Sequence, residues 1–163
     1  MVQLNRLYKL AFSCFIFLLY IFIMYIDRDS ASIYYQIRIA TALYTLAYSF
    51  PFLIIPLSTA NLASNLFFGS WGITDVIGGF FVGFLVTSLV VLIRKKQLNY
   101  LFSAVPIILI PALGVSIWLA PLMKISYTSL AITIGIGQIV SATIGIVILG
   151  TTEFCIQKYI SHR

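Results

Sequence analysis

One carboxylate, one guanidinium and three carboxamides stand inside otherwise apolar runs of this chain: Asp75, Arg38, Asn61, Asn65 and Gln138. Ionisable and amide groups are expensive in hydrocarbon and persist there when they pair or face a polar cavity. Their chemistry is recognition. Asn and Gln amides can make paired hydrogen bonds to the edge of a base, while Asp75 and Arg38 can read remaining donors or a carbonyl. Asn61 and Asn65 are four apart and share a helix face. Reaction chemistry is poorly supplied. The single histidine, His162, lies in the tail, and no carboxylate pair, His-Glu cluster or Ser-His constellation falls within an apolar run. There is no Gly-Lys-Ser/Thr phosphate loop and no ring of charges suited to an ion filter. Cys14 and Cys155 are far apart, make neither a disulfide framework nor a metal site, and read as free, buried and inert. The expectation is a binding protein rather than an enzyme, with no cofactor and no metal.

Each polar residue also has a plainer reading. Asp75 in the first turn of a helix is favoured by the helix dipole whether or not it meets a ligand. Arg38 can snorkel to the headgroups or pair with Asp75. Asn61, Asn65 and Gln138 can serve as interhelical glue, worth about 0.6 kcal/mol each. Trp71 and Trp118 fit an interfacial aromatic belt, or a stacking surface for a planar ligand.

The elements that carry these residues are set by composition. Of 163 residues, 61% are apolar and 9% charged, and apolar runs continue from end to end. A hydrocarbon core is ~30 Å thick and takes about 20 apolar residues to cross. The expectation is all-α: one polytopic membrane domain over 1–163, with six helices at about 8–26, 33–50, 53–67, 73–93, 98–122 and 127–152. The apolar run after Lys9 is too long for a signal sequence and reads as an uncleaved first span. Pro51 and Pro56 divide the long stretch 33–68, since the residue before each proline is pushed out of the helical region. The positive-inside rule supports this division. With six spans and both termini cytoplasmic, Arg6, Lys9, Arg94, Lys95, Lys96, Lys158 and Arg163 flank the inner face. Arg28 and Lys124 lie outside, and Arg38 lies within a span. The net charge of +6 thus reports topology in a cell membrane, not nucleic-acid binding. Gly79 and Gly83, and the run Gly137, Ser141 and Gly145, mark close helix contacts.

Topology then gives depth. Helix 2 descends, so Gln36 and Arg38 lie near its outer end. Helix 3 rises, placing Asn61 near mid-membrane and Asn65 further out. Helices 4 and 6 start outside, with Asp75 in the first turn of one and Gln138 three turns down the other. Polar groups from four helices fall in the outer half, and a pocket opening outward from the membrane centre satisfies them all.

The stretch QIRIATALYTLAYSFPFLIIPLSTANLASNLFFGSWGITDVIGGFFVGFLVTSLVVLIRK, residues 36–95, resembles the QueT family. The family pattern has an arginine early in the second helix, small residues and an asparagine closing the third, a Gly-rich turn, then an aspartate and a glycine. Arg38, Asn65, Gly72, Asp75 and Gly79 occupy these places in order. In the last helix, where the family has Gly-Glu, this chain has Gly137 and Gln138, and Gly150 matches the final glycine. Ile107 after Pro106 replaces the asparagine usual in the fifth helix. The resemblance implies a substrate-binding (S) component of an energy-coupling factor (ECF) transporter that takes queuosine precursors, planar deazaguanines. It implies as partners an ECF transmembrane subunit and two ATPase subunits. The rival expectation is a small membrane scaffold or assembly subunit whose polar residues only hold helices together.

Overall fold

The computed structural model describes residues 5–27, 38–69 and 71–161. They form an all-α bundle, with no strand among the described residues. The helices are α1 (Arg6–Asp27), α2 (Leu46–Ser49), α3 (Ile54–Phe68), α4 (Ile73–Lys95), α5 (Ala104–Met123) and α6 (Tyr127–Ser161). Short 3-10 segments lead into α2 (Ile39–Thr45), α3 (Pro51–Leu53) and α5 (Tyr100–Ser103). Five of the helical stretches are long and apolar enough to cross a membrane: Arg6–Asp27, Pro51–Phe68, Ile73–Lys95, Tyr100–Met123 and Tyr127–Tyr159. Large apolar side chains such as Phe15, Phe22, Phe81, Leu113, Ile132 and Val147 are exposed on the outside, as hydrocarbon surroundings require.

The second segment differs most from the expected helix over 33–50. Its first part, with Gln36, lies outside the described residues. From Arg38 onward it is mostly 3-10 helix, with a single α turn before Phe50. A 3-10 helix rises about 2.0 Å per residue against 1.5 Å in an α-helix, so Ile39–Ser49 stretches about 20 Å. That length carries the chain between the two ends of the bundle. At one end Asp27 Oδ2 accepts from the Ile39 backbone N–H at 2.9 Å, and Arg38 reaches Asn65. At the other, Ser49 Oγ donates to Glu153 at 2.6 Å. The segment is held against α6, where Thr45 Oγ1 lies 3.0 Å from the Gly145 carbonyl. A methyl on Gly145 would come within 2.6 Å of Thr45 Cγ2, so this approach needs glycine.

Pro51 ends the segment as expected: Phe50 before it is extended, at φ −128 and ψ 80. Pro56 does not break α3. It occupies the first turn, where a missing N–H leaves no intrahelical bond unmade. α6 continues to Ser161 rather than stopping near 152. Its 35 residues extend about 52 Å, so it projects beyond any hydrocarbon core. Cys14 and Cys155, expected to be buried, are exposed; they lie on helix faces turned away from the bundle.

The core is continuous from Tyr20 and Tyr44 through Leu53, Leu57, Val86 and Val90 to Ile107, Leu119 and Ile134. Tyr20 and Tyr44 are stacked and share a hydroxyl–hydroxyl hydrogen bond of 3.0 Å. The glycine pair on α4 marks a close contact, as its spacing predicts. Gly83 lies against Tyr44 and the Ser58 backbone, and Gly79 against Asn61 and Asn65.

Candidate functional site

Arg38 opens the 3-10 run, and its backbone is fixed before its side chain acts. Its carbonyl accepts from the Thr41 N–H at 3.0 Å, from Thr41 Oγ1 at 2.7 Å and from Ser141 Oγ on α6 at 2.8 Å. The guanidinium then points across the bundle. Nη2 donates to Asn65 Oδ1 at 3.2 Å and lies 4.0 Å from Asp75 Oδ2.

Asp75 is buried, 2% exposed, in the first turn of α4. Gly72, at φ +82, turns the chain into that helix in a conformation that a side chain would strain. The helix N-terminus sets partial positive charge beside the carboxylate. Asp75 Oδ1 accepts from Trp118 Nε1 of α5 at 3.2 Å. Its Oδ2 is buried without a hydrogen-bond partner.

The two asparagines divide their work. Asn65 donates through Nδ2 to the Asp75 carbonyl at 3.0 Å and accepts from Arg38, so both ends of its amide are engaged. Asn61 donates to the Gly79 carbonyl at 2.7 Å, while its Oδ1 is buried and unpaired. These bonds require α3 and α4 in near contact. A methyl on Gly79 would collide with Asn65 Nδ2. Gln138, 1% exposed on α6, accepts from Thr41 Oγ1 at 2.8 Å.

Between these groups lies a cavity. Arg38, Thr41, Asn61, Asp75, Trp118 and Gln138 supply its polar lining, and Val82, Val115 and Ile134 are among its apolar lining. Four of the five residues singled out in the sequence therefore meet around one space. Asn65 does not line it and instead holds Arg38 and α4 in place from behind. Thr41 and Trp118 complete the site. Trp118, readable as part of an interfacial belt, is turned inward: a methyl on Gly78 would strike its ring at 2.5 Å. The signal for Thr41 was its spacing of three from Arg38, which puts it on the same face of a 3-10 turn.

The free space is about 20 Å³, enough for one water molecule. An apolar cavity of about 150 Å³ is the scale that accommodates benzene. The site is thus closed on itself, with Trp118 bonded to Asp75 and Arg38 to Asn65. Among the described residues no cluster of three His, Cys, Asp or Glu is placed to hold a metal.

A second polar cluster sits at the other end of the bundle. Arg94 of α4 pairs with Glu153 of α6, which also accepts from Ser49. The guanidinium stacks 4.9 Å above the Tyr48 ring, and Tyr48 Oη donates to the Leu98 carbonyl at 3.0 Å. Glu153 lies just past the helix end expected from sequence, and nothing there marked it.

A family model described as QueT transporter matches residues 10–153, a stretch that holds every cavity residue. Neither the curated proteins nor the solved structures give a match.

Proposed function

The chain belongs to the QueT transporter family, a multi-pass membrane protein of small-solute transport, and we propose that it captures a planar, purine-like base of the deazaguanine type from outside. The carrying observation is the cavity with two buried acceptors that receive no hydrogen bond, Asn61 Oδ1 and Asp75 Oδ2, the latter 4.0 Å from the Arg38 guanidinium. Buried polar atoms without partners are costly, and a ligand edge bearing two or more N–H groups would satisfy them. The Arg38 guanidinium can donate to a ligand carbonyl. Trp118 offers an aromatic face, and stacking of a base on such a ring contributes about 1–3 kcal/mol.

The energetics are attainable for a small bundle. Nanomolar binding takes about 12 kcal/mol, or about 1 kcal/mol per atom for a ligand of about a dozen heavy atoms, below the ~1.5 ceiling. Part of that energy goes into opening the site. A base needs far more room than the closed cavity holds, so Trp118 and Arg38 must turn away from Asp75 and Asn65 as it enters. α5 is suited to such movement, because Pro111 and Pro121 interrupt its hydrogen bonding on either side of Trp118.

Capture alone does not drive uptake. In this reading the chain is an S component, and an ECF transmembrane subunit with two ATPases supplies the energy. The test is a binding assay on the purified, folded protein with a panel of deazaguanines, purines and vitamins. Saturable binding of a deazaguanine supports the proposal. No binding by any of the panel rejects it and leaves the scaffold reading, which the glue-like bonding of Asn65 favours.

A further inference from the structure

Resting on that reading of the cavity, we infer that the site selects a base that is uncharged over its whole surface, and that Gln138 is the residue that sets this preference. The argument begins with charge. Among the described residues lining the cavity, Arg38 and Asp75 are the charged ones. They face each other at 4.0 Å, and both are held by neutral partners, Asn65 and Trp118. The wall therefore sums to zero. A ligand carrying an ammonium group would leave one uncompensated positive charge in a narrow, largely buried space with room for about one water molecule. An anionic ligand would leave one negative charge. Both are strongly disfavoured in a low-dielectric surrounding.

Gln138 and Asn61 are the neutral amides of the lining, and Gln138 is built to act without charge. The Thr41 hydroxyl has one proton and two acceptors within reach, the Arg38 carbonyl at 2.7 Å and Gln138 Oε1 at 2.8 Å. With the proton on Gln138, the amide turns its nitrogen to the cavity and donates. With the proton on the Arg38 carbonyl, a half-turn of the amide lets its nitrogen donate to Thr41, and Oε1 faces the cavity as an acceptor. Either way Thr41 stays bonded. Gln138 can thus match a donor or an acceptor on a ligand, but it cannot neutralise a cation. A glutamate at this position would give the wall a net negative charge and favour an ammonium.

The experiment compares two 7-deazaguanines that differ at the 7-substituent, one a neutral nitrile and one an aminomethyl group protonated at neutral pH. Binding is measured calorimetrically to the wild-type chain, to Gln138→Glu and to Asp75→Asn, with folding checked by thermal unfolding. The wild-type chain should bind the nitrile at least about tenfold more tightly. Gln138→Glu should move the ratio at least about tenfold toward the amine, and Asp75→Asn, which makes the wall positive, should move it the other way. A wild-type preference for the amine, or equal binding, overturns the inference and leaves the base-capture reading intact. So does a Gln138→Glu protein that folds and keeps the wild-type ratio. If that variant does not fold, the wild-type ratio and the direction of the Asp75→Asn shift decide the charge argument. Failure of both compounds to bind the folded wild-type chain removes the base reading, and this inference with it.

Discussion

The bundle carries an arginine–carboxylate pair at each end, and the two are built differently. At the end that the charge bias assigns to the inner face, Arg94 and Glu153 are in direct hydrogen-bond contact. Ser49 adds a donor to the same carboxylate oxygen, and Tyr48 lies under the guanidinium. The outer pair, Arg38 and Asp75, is separated by 4.0 Å. Its carboxylate is more deeply buried, yet one oxygen has no hydrogen bond. A directly bonded pair of this kind fastens helices, here α4 to α6 and to the end of α2. An unsaturated pair around a small void is a poor fastener, because burying a charge without its full complement of donors is unfavourable. It is suited instead to exchange its weak contacts for those of a ligand. In the proposed reading, the difference between the two ends separates holding from binding.

The sharpest way to break this comparison is Asp75→Asn. The amide keeps an oxygen that can accept from Trp118 Nε1, so packing and that bond survive while the charge is lost. Hydrogen bonds to charged groups contribute about 1.5–3 kcal/mol, so the dissociation constant for a bound deazaguanine should rise about ten- to hundredfold. Thermal stability should fall only slightly. Titration calorimetry and a melting curve read both. If Asp75 serves only to start α4, affinity will barely move and the outer pair is a fastener after all. The same closed state can be watched directly. In a Trp71→Phe protein, Trp118 is the sole tryptophan, and its emission should change on ligand binding as Nε1 leaves Asp75.

Glu153→Ala should do the opposite. It leaves a half-buried Arg94 and a Ser49 hydroxyl without their acceptor, at a cost of about 1–2 kcal/mol. For a chain of this size that lowers the melting temperature by a few degrees, about 2–4 °C per kcal/mol. Ligand affinity should remain within about twofold of the parent. An equally large effect on affinity would show that the inner clasp and the outer cavity are coupled through α4 and α6.

The outer end was the more legible of the two in the sequence, for physical reasons. Charge bias gives each span an expected direction, and helix rise converts residue number into depth. Arg38, Asn61, Asn65, Asp75 and Gln138 could therefore be brought to one level before any contact was known. Azimuth is a different matter. Which way a residue faces depends on helix packing, and Trp118 looks the same in sequence whether it joins an interfacial belt or leans on Gly78. Nor does composition separate a 3-10 run from an α-helix. Ile39–Thr45 is drawn out by its contacts with α6 and the Asp27 cap, which are tertiary. Glu153 was missed because its partner Arg94 is 59 residues away and the helix bearing it outruns the apolar pattern. The tightness of the cavity depends on how side chains interlock.

The smallest expected effect separates the two jobs inside the outer site itself. Thr41→Val keeps the shape of the side chain and removes one hydroxyl. The Arg38 carbonyl still accepts from the backbone N–H at position 41, which the substitution leaves in place, and from Ser141 Oγ. The backbone of the 3-10 turn therefore stays anchored. What is lost is the bond that orients Gln138, whose amide then lacks a partner on the protein side. A neutral hydrogen bond contributes about 0.5–1.5 kcal/mol, which converts to about a two- to tenfold weaker dissociation constant. If Gln138 reads the ligand, that loss should appear in affinity, with a melting temperature near that of the parent when no ligand is present. If Gln138 is glue between α6 and the 3-10 run, the same change should appear in the ligand-free melting temperature and leave affinity alone. The two outcomes assign this residue to the binding or to the holding side of the molecule.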